Sequence, residues 1–270
     1  MPDLFLFCGT NMGVSIIELV CRSEKRKNLL VYLKDGPRNL AAIKKALDVT
    51  STGVLPQIKL LKDNDILVQK DDEYELSIFG NIVVQKILPI FKLTNTLEKN
   101  PEYWFSRDIS ALPMQFMERL GYLGDSEVIE PDINSLFDPP QELIDHLLVS
   151  QHVIAITSYF HPYYAKHFIG LAKKGVEINL IFTNDVYERI AEDYGEDAEV
   201  FFGLDNTNVY IHEGDLPVVS MVCADGFFLL SLLNKKGIYD HNKLISTSEE
   251  AVSWGHDLFE YCYLESQKKE

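Results

Sequence analysis

Between Ser51 and Lys62 the apolar residues Val54, Ile58 and Leu61 are spaced i, i+4, i+7, and two short β-prone runs follow at once. That spacing makes one buried stripe on a helix. The runs Ile66–Lys70 and Glu73–Leu76, separated by Asp71-Asp72, read as a hairpin. Its turn lacks glycine, which leaves the turn type open. Upstream, Ile16, Ile17, Val20, Leu29, Leu30 and Leu33 recur at helical spacing from Val14 until Asp35-Gly36-Pro37 stops them. The first dozen residues show no clear period and read as a leader. Leu40, Ile43 and Leu47 define a second, short helix. Asp48-Val49-Thr50 is a tight connection, and Thr50 is placed to cap the third helix by accepting a bond from its first turn. Helix, short turn, helix and two-stranded wing is the order of a winged helix-turn-helix, here over residues 14–76, which sets its last helix in a DNA major groove.

With Val54, Ile58 and Leu61 inward, the outward face of that helix holds Thr52, Pro56 and Lys59, flanked by Ser51, Leu55 and Gln57. Pro56 and Leu55 donate no hydrogen bond to a base edge, although apolar contact to a thymine methyl stays open to them. The polar work on double-stranded DNA therefore falls to Thr50, Ser51, Thr52, Gln57, Lys59 and Lys62, with Lys70 of the wing near flanking phosphates. The other reading of the module is a winged helix used for protein contact.

Charge divides the chain in the same place. The net charge is −16, which repels phosphate. Residues 14–100 nevertheless hold 14 Lys and Arg against 11 Asp and Glu, while residues 101–270 hold 11 against 29. A mildly basic head precedes a strongly acidic body, and a DNA-binding face belongs in the head.

From Ser77 to about Asn100 a long helical segment carries Ile78, Ile82, Val83, Ile87 and Leu97, with Pro89 expected to kink or divide it near Gln85. Residues 77–115 read as a helical connector and dimer contact. Residues 116–270 form a third region, and residues 101–150 look mostly helical and irregular. After that strands and helices alternate: strands at Val153–Ser158, Val176–Thr183, Val209–His212, Val218–Ala224 and Phe227–Leu233, and helices at Tyr163–Lys174, Val186–Tyr194 and Glu249–Tyr263. This implies an α/β layer with at least a partly parallel sheet.

The segment Val49 to Leu61 closely resembles winged-helix regulators of the arsenical-repressor type, with Thr50, Val54, Ile58, Leu61 and Ile66 at the pattern positions. Glu98-Lys99-Asn100-Pro101-Glu102-Tyr103-Trp104, Arg107 to Pro113, Ser158-Tyr159-Phe160-His161-Pro162, Gly237-Ile238-Tyr239-Asp240 and Ala251 to Phe259 together resemble archaeal helix-turn-helix regulators with a methanogenesis-regulatory, Fil-type sensor domain. That resemblance covers nearly all the chain beyond residue 13. It implies a homodimeric transcription regulator whose C-terminal domain answers an unidentified signal.

The βαβα order is also similar to one half of the phospholipase D fold. The active signature of that fold needs a His, a Lys two residues later and an Asp five beyond. His241 and Lys243 fit, but Ser248 stands at the Asp position; with Asp225 as the Asp, Val218 and Ser220 replace the others. Neither register is complete, so covalent catalysis lacks its activated group. His161 and His167 suit no metal pair, and no GxSxG, GxGxxG or GxxxxGK[ST] motif is present. These features predict neither enzyme activity nor a cofactor nor a metal. A small-molecule effector would sit at the strand end Tyr159 and His161, with Tyr239, Asp240 and Trp254 added on the family resemblance. Core packing is the competing role for Tyr159 and Trp254. Scattered cysteines without a CxxC pair and the lack of a long apolar run predict a cytoplasmic protein away from the membrane.

Overall fold

The computed structural model describes residues 15–132, 134 and 138–269, the side chains of 162–166 excepted. The leader assigned to the first dozen residues lies outside the described residues. The chain passes from one compact unit to a second between Ile90 and Phe91.

In the first unit α1 (Ile16–Cys21) and α2 (Glu24–Leu33) precede β1 (Arg38–Asn39), α3 (Leu40–Leu47), α4 (Ser51–Asp63), β2 (Leu67–Lys70) and β3 (Glu73–Leu76). The single helix expected from Val14 to Leu33 is two. Ser23 has extended backbone (φ −140°, ψ 117°) and accepts from the Arg26 backbone N–H, which restarts the helix. Asp48 closes α3 in the left-handed region (φ 48°), and Asp71 takes the same region at the hairpin turn (φ 52°). Aspartate tolerates that conformation where glycine is missing. The stripe Val54, Ile58 and Leu61 is buried, as are Leu19, Leu29, Leu30, Leu33 and Ile43, and α4 packs on α2 and α3. The sheet has the order β1-β3-β2, both pairings antiparallel; a two-residue strand such as β1 is too short to leave a period in the sequence.

Next, α5 (Ile78–Lys99) runs as one helix of 22 residues, so Pro89 does not divide it. Within it Val84 is buried, whereas Ile78, Phe79 and Ile82 are 80%, 68% and 52% exposed.

The second unit contains α6 (Pro101–Ser106), α7 (Met114–Met117), a 3-10 turn (Leu120–Leu123), β4 (Glu127–Ile129), α8 (Gln141–Val149), β5 (His152–Thr157), α9 (Pro162–Ala172), β6 (Glu177–Thr183), α10 (Asn184–Phe202), β7 (Thr207–His212), β8 (Ser220–Ala224), β9 (Phe227–Ser231), β10 (Lys243–Ser246), α11 (Glu249–Leu264) and β11 (Ser266–Lys268). Eight strands form one sheet in the order β11-β7-β6-β5-β8-β9-β10-β4. The pairs β5–β6 and β6–β7 are parallel, and the others are antiparallel. Alternate residues serve opposite faces. Ile156, Met221, Cys223, Phe228 and Leu230 join a core with Trp104, Phe116 and Trp254. Val153, Ala155, Leu180, Val222 and Leu229 join another with Leu143, Phe168 and Phe201. Among the described residues no helix is long and apolar enough to cross a membrane.

Helix α11 lies close on the sheet because Gly255 has no side chain: a Cβ there would stand 2.3 Å from Cys223 Sγ and 2.7 Å from the Phe228 ring. We expect Gly255→Ala to destabilise the second unit by about 1–3 kcal/mol through overpacking, read as a lower urea midpoint followed by tryptophan fluorescence.

Candidate functional site

Two places bring together the residues singled out by sequence. The first is the outer side of α4. Thr50 caps that helix, its Oγ1 accepting from the Gly53 N–H at 3.2 Å and standing 3.1 Å from Thr52 Oγ1. Thr52, Leu55, Pro56, Lys59 and Lys62 line an open groove with Asp63 and Tyr74. Thr52 and Lys59 are exposed there, and Ser51 is half-buried at the helix start. Lys62 donates to Gln69 Oε1 of β2 at 2.8 Å and lies 5.9 Å from the Tyr74 ring, so it is held toward the wing. Gln57 turns the other way: its Oε1 accepts from Arg26 of α2 at 2.8 Å. Lys70 pairs with Glu75 beside Asp71, Asp72 and Glu73. The wing tip is thus acidic, and Lys70, exposed and in an ion pair with Glu75, is a weaker attractor for a phosphate than an unpaired lysine.

Sequence spacing missed Lys25. A Cβ on Gly53 would lie 3.3 Å from Lys25 Nζ, which places this exposed cation from α2 beside the start of α4. The distance along the chain concealed it.

The second place is the carboxyl end of β5. From that strand the sheet continues to parallel β6 on one side and antiparallel β8 on the other, so the loop leaving β5 meets the segment that enters β8, with Ser158 donating to the Val218 and Val219 carbonyls. There the Tyr159 ring centre is 5.1 Å from that of Tyr239, 6.1 Å from His241 and 6.2 Å from His161, and Tyr239 and His241 are 4.4 Å apart. Asp108, Ser158, Tyr159, Leu216 and Tyr239 line a cavity of about 280 Å³ alongside. Asp240 faces away from it, accepting two hydrogen bonds from Arg107 at 2.7 and 2.6 Å. Arg107 is 3% exposed, also donates to the Leu232 carbonyl at 3.3 Å, and stacks 4.6 Å from the Tyr103 ring centre. Burial pushes the Asp240 carboxyl up, but the Arg107 hydrogen bonds, the backbone N–H bonds including that of Asn242 and the Arg107 charge together hold the group below the usual aspartate range. Burial pushes the Tyr103 and Tyr239 hydroxyls up and the Lys243 ammonium down.

Trp254 belongs elsewhere. It is fully buried, its indole N–H donates to the Phe116 carbonyl at 3.2 Å, and Phe116 and Phe228 pack edge-on to its ring. It is a core residue of α11 and does not reach the Tyr159 cluster. Arg107 is the residue whose role the sequence left unread; a cation next to Tyr103-Trp104-Phe105 was the signal available.

Neither phospholipase D register assembles a catalytic set. Lys243 Nζ donates to the His241 carbonyl at 3.2 Å, and Ser248 caps α11. In the other register Val218 and Ser220 are buried, while Asp225 accepts from the Gln151 N–H at 2.6 Å. Among the described residues no group of three or more His, Cys, Asp or Glu is arranged to hold a metal.

Compared with known proteins, the family profile of the methanogenesis regulatory protein FilR1 matches in two parts: its N-terminal domain over residues 14–95 and its middle domain over residues 136–265. The FilR1 of Methanothrix harundinacea (strain 6Ac) is 25% identical over 253 residues, 92% of this chain and 56% of that protein. The chain therefore spans little more than half the length of this relative. Among solved structures, the archaeal chromatin protein TrmBL2 is similar at a TM-score of 0.43 and 14% identity, over 89% of this chain and 92% of that one. Nuc, a phospholipase D family member from Salmonella typhimurium, scores 0.38 at 9% identity, over 54% of this chain and 99% of that one. At such scores neither likeness carries an argument about function.

The Arg107–Asp240 pair gives a test by pH. Asp240 has a depressed folded pKa, so its contribution is complete above the unfolded value of about 3.9 and is lost as pH falls through the folded one. Asp240→Asn should destabilise the second unit at pH 7 by about 3 kcal/mol, the low end for a broken buried pair, since Asp240 is 31% exposed. In urea titrations from pH 7 to 2.5 the gap to wild type should narrow only below about pH 4.

Proposed function

Because the chain belongs to the family of the methanogenesis regulatory protein FilR1, we propose that it is a DNA-binding transcriptional regulator whose second unit receives a small-molecule signal. The observation that carries the DNA reading is the α4 groove: a helix capped by Thr50, presenting Thr52, Lys59 and Lys62 together and backed by a three-stranded wing. Lys59 and Lys25 contact phosphates, and Ser51 and Thr52 at the helix start face base edges. Gln57, held by Arg26, and Lys70, paired with Glu75, contribute less.

The regulator acts as a homodimer through α5. Ile78, Phe79 and Ile82 leave an apolar patch exposed on one stretch of that helix, and a two-fold contact would cover it. Two heads would then read half-sites about one helical turn apart. The effector site is the crevice at Tyr159, His161 and Tyr239, with Asp240 as the anchor of Arg107 rather than a ligand contact. Three described cysteines, Cys21, Cys223 and Cys262, are free, in keeping with a reducing cytoplasm.

Anisotropy of labelled DNA from the upstream region of the gene, titrated with the full chain at several salt concentrations, tests the reading. Binding should fall steeply with salt and exceed that to random DNA by roughly a thousandfold. Lys59→Ala should weaken binding and lower the salt slope by about one, and Lys70→Ala should change little. Weak binding that is equal on any DNA and indifferent to Lys59→Ala would overturn the reading in favour of a protein-contact module, for which exposed Leu55 and Pro56 are suited. Phe79→Glu should convert dimer to monomer in sedimentation velocity.

A further inference from the structure

We propose that the second unit binds a neutral, largely apolar small molecule, a single aromatic ring or short alkyl chain, in the cavity between its sheet and helices α9 and α10. This rests on the signal-receiving role given to the unit and extends its site: the cavity adjoins the Tyr159–Tyr239 crevice and shares Tyr159 and His161 with it. Sheet residues Ala155, Leu180, Phe182 and Val222 form the floor of the cavity, and Phe168 of α9 with Ile190, Ala198 and Phe201 of α10 form the rest.

Side-chain size explains the void. On the central strand Ala155 is flanked by Leu180 and Val222 in register, and Ala198 is a second small residue on the helical side. Two alanines among large neighbours leave a gap that close-packed interiors ordinarily fill. The void is about 50 Å³, whereas a cavity of about 150 Å³ accepts benzene. Occupancy must therefore widen it, and the surrounding chain has a joint where it can yield. Helix α10 is interrupted at Tyr194 (φ −129°, ψ 16°). The following Gly195 has no atom within 4 Å of where its Cβ would be. At the rim, Phe160 of the loop after β5 lies 6.0 Å from the Tyr194 ring centre.

The lining fixes the chemical class. Among the described residues around the cavity there is no carboxylate, lysine or arginine, so a charged ligand would lose hydration without a partner from them. Its polar members other than Tyr194 lie toward the end of β5: Thr157, whose hydroxyl already donates to the Tyr159 carbonyl at 2.7 Å, Tyr159, Ser220 and His161. One polar substituent at that end is compatible; a polar body is not. His161 also borders the Tyr159 cluster, so an occupant that shifts Phe160 and His161 would be felt in the crevice.

The test uses 4-fluorotoluene as probe and the full chain, methyl-labelled at alanine, isoleucine and valine. Saturable binding by fluorine NMR is expected, with nuclear Overhauser contacts to Ala155, Ile190 and Val222 in the wild-type protein. Ala155→Leu and Ala198→Leu, which fill the cavity from opposite sides, should each weaken binding at least tenfold where the variant unfolds cooperatively. No saturable binding up to the solubility limit, or contacts only to other residues, overturns the proposal, as does undiminished binding in a folded filling variant. The wild-type contacts decide the matter even if both variants fail to fold. Binding at these residues with unchanged DNA affinity supports the cavity and overturns only the signalling role of the second unit.

Discussion

Burial of both faces of the eight-stranded sheet is the constraint on which the second unit depends. Every residue of β8 and β9 is buried, so neither helical layer can be lost without exposing a continuous apolar surface. Such strands read as unbroken apolar runs. The same arrangement places the crevice. With parallel β6 on one side of β5 and antiparallel β8 on the other, the loop that leaves β5 for α9 and the segment that enters β8 from β7 come together at the end of β5. Tyr159 and His161 are at that junction because of topology, whatever their chemistry.

Arg107 then organises what the topology leaves open. A guanidinium at 3% exposure is expensive to desolvate, and its pairing with Asp240 recovers part of that expense without making the pair a source of stability. Its effect is geometric. Two parallel hydrogen bonds fix the orientation of Asp240, and the Asn242 N–H donates to the same carboxylate at 3.2 Å. The short loop that carries Tyr239 and His241 is thereby set against Tyr159. His241 sits in the left-handed region (φ 62°) within this loop, a conformation that the surrounding contacts must hold in place.

The sequence made the winged-helix order legible because its signals are local. Val54, Ile58 and Leu61 share one helix face, and Thr50 caps its own helix three residues on. The antiparallel strand β10, paired between β9 and β4, was not legible: its four residues have no alternation of their own, and their partners lie at Glu127–Ile129 and Phe228–Leu230. The candidate site divides along the same line. Tyr159 and Tyr239 come together as neighbours across 80 positions, whereas Trp254, from an equally aromatic segment, turns into the core because α11 presents its Gly255 and Trp254 side to the sheet. Periodicity tells that a helix has a buried side; it does not tell whether an aromatic on that side meets a core or a crevice. Gln57 illustrates the converse. Its place beside the outward face was readable, but its bond to Arg26 depends on α2, 31 residues away.

Charge distribution sets how a regulator of this kind can hold DNA. At physiological ionic strength fields decay over about 8 Å, so a charge acts on a duplex only where it comes within about that distance. The charges that decide affinity are the near ones. Lys59 and Lys25 favour phosphate, while Asp71, Asp72 and Glu73 at the wing tip oppose it. A contact limited to Lys59 and Lys25 releases few counterions and binds weakly. Joining two such heads makes the second contact intramolecular and raises affinity without a new residue at the interface. Weak heads are also the ones a signal can govern: where affinity resides in simultaneous engagement, a small change in their spacing removes most of it, and an effector needs only a modest preference for one arrangement to shift the population. If two copies join through the exposed apolar patch on α5, as proposed, control of such a regulator rests on assembly and not on the strength of any single contact.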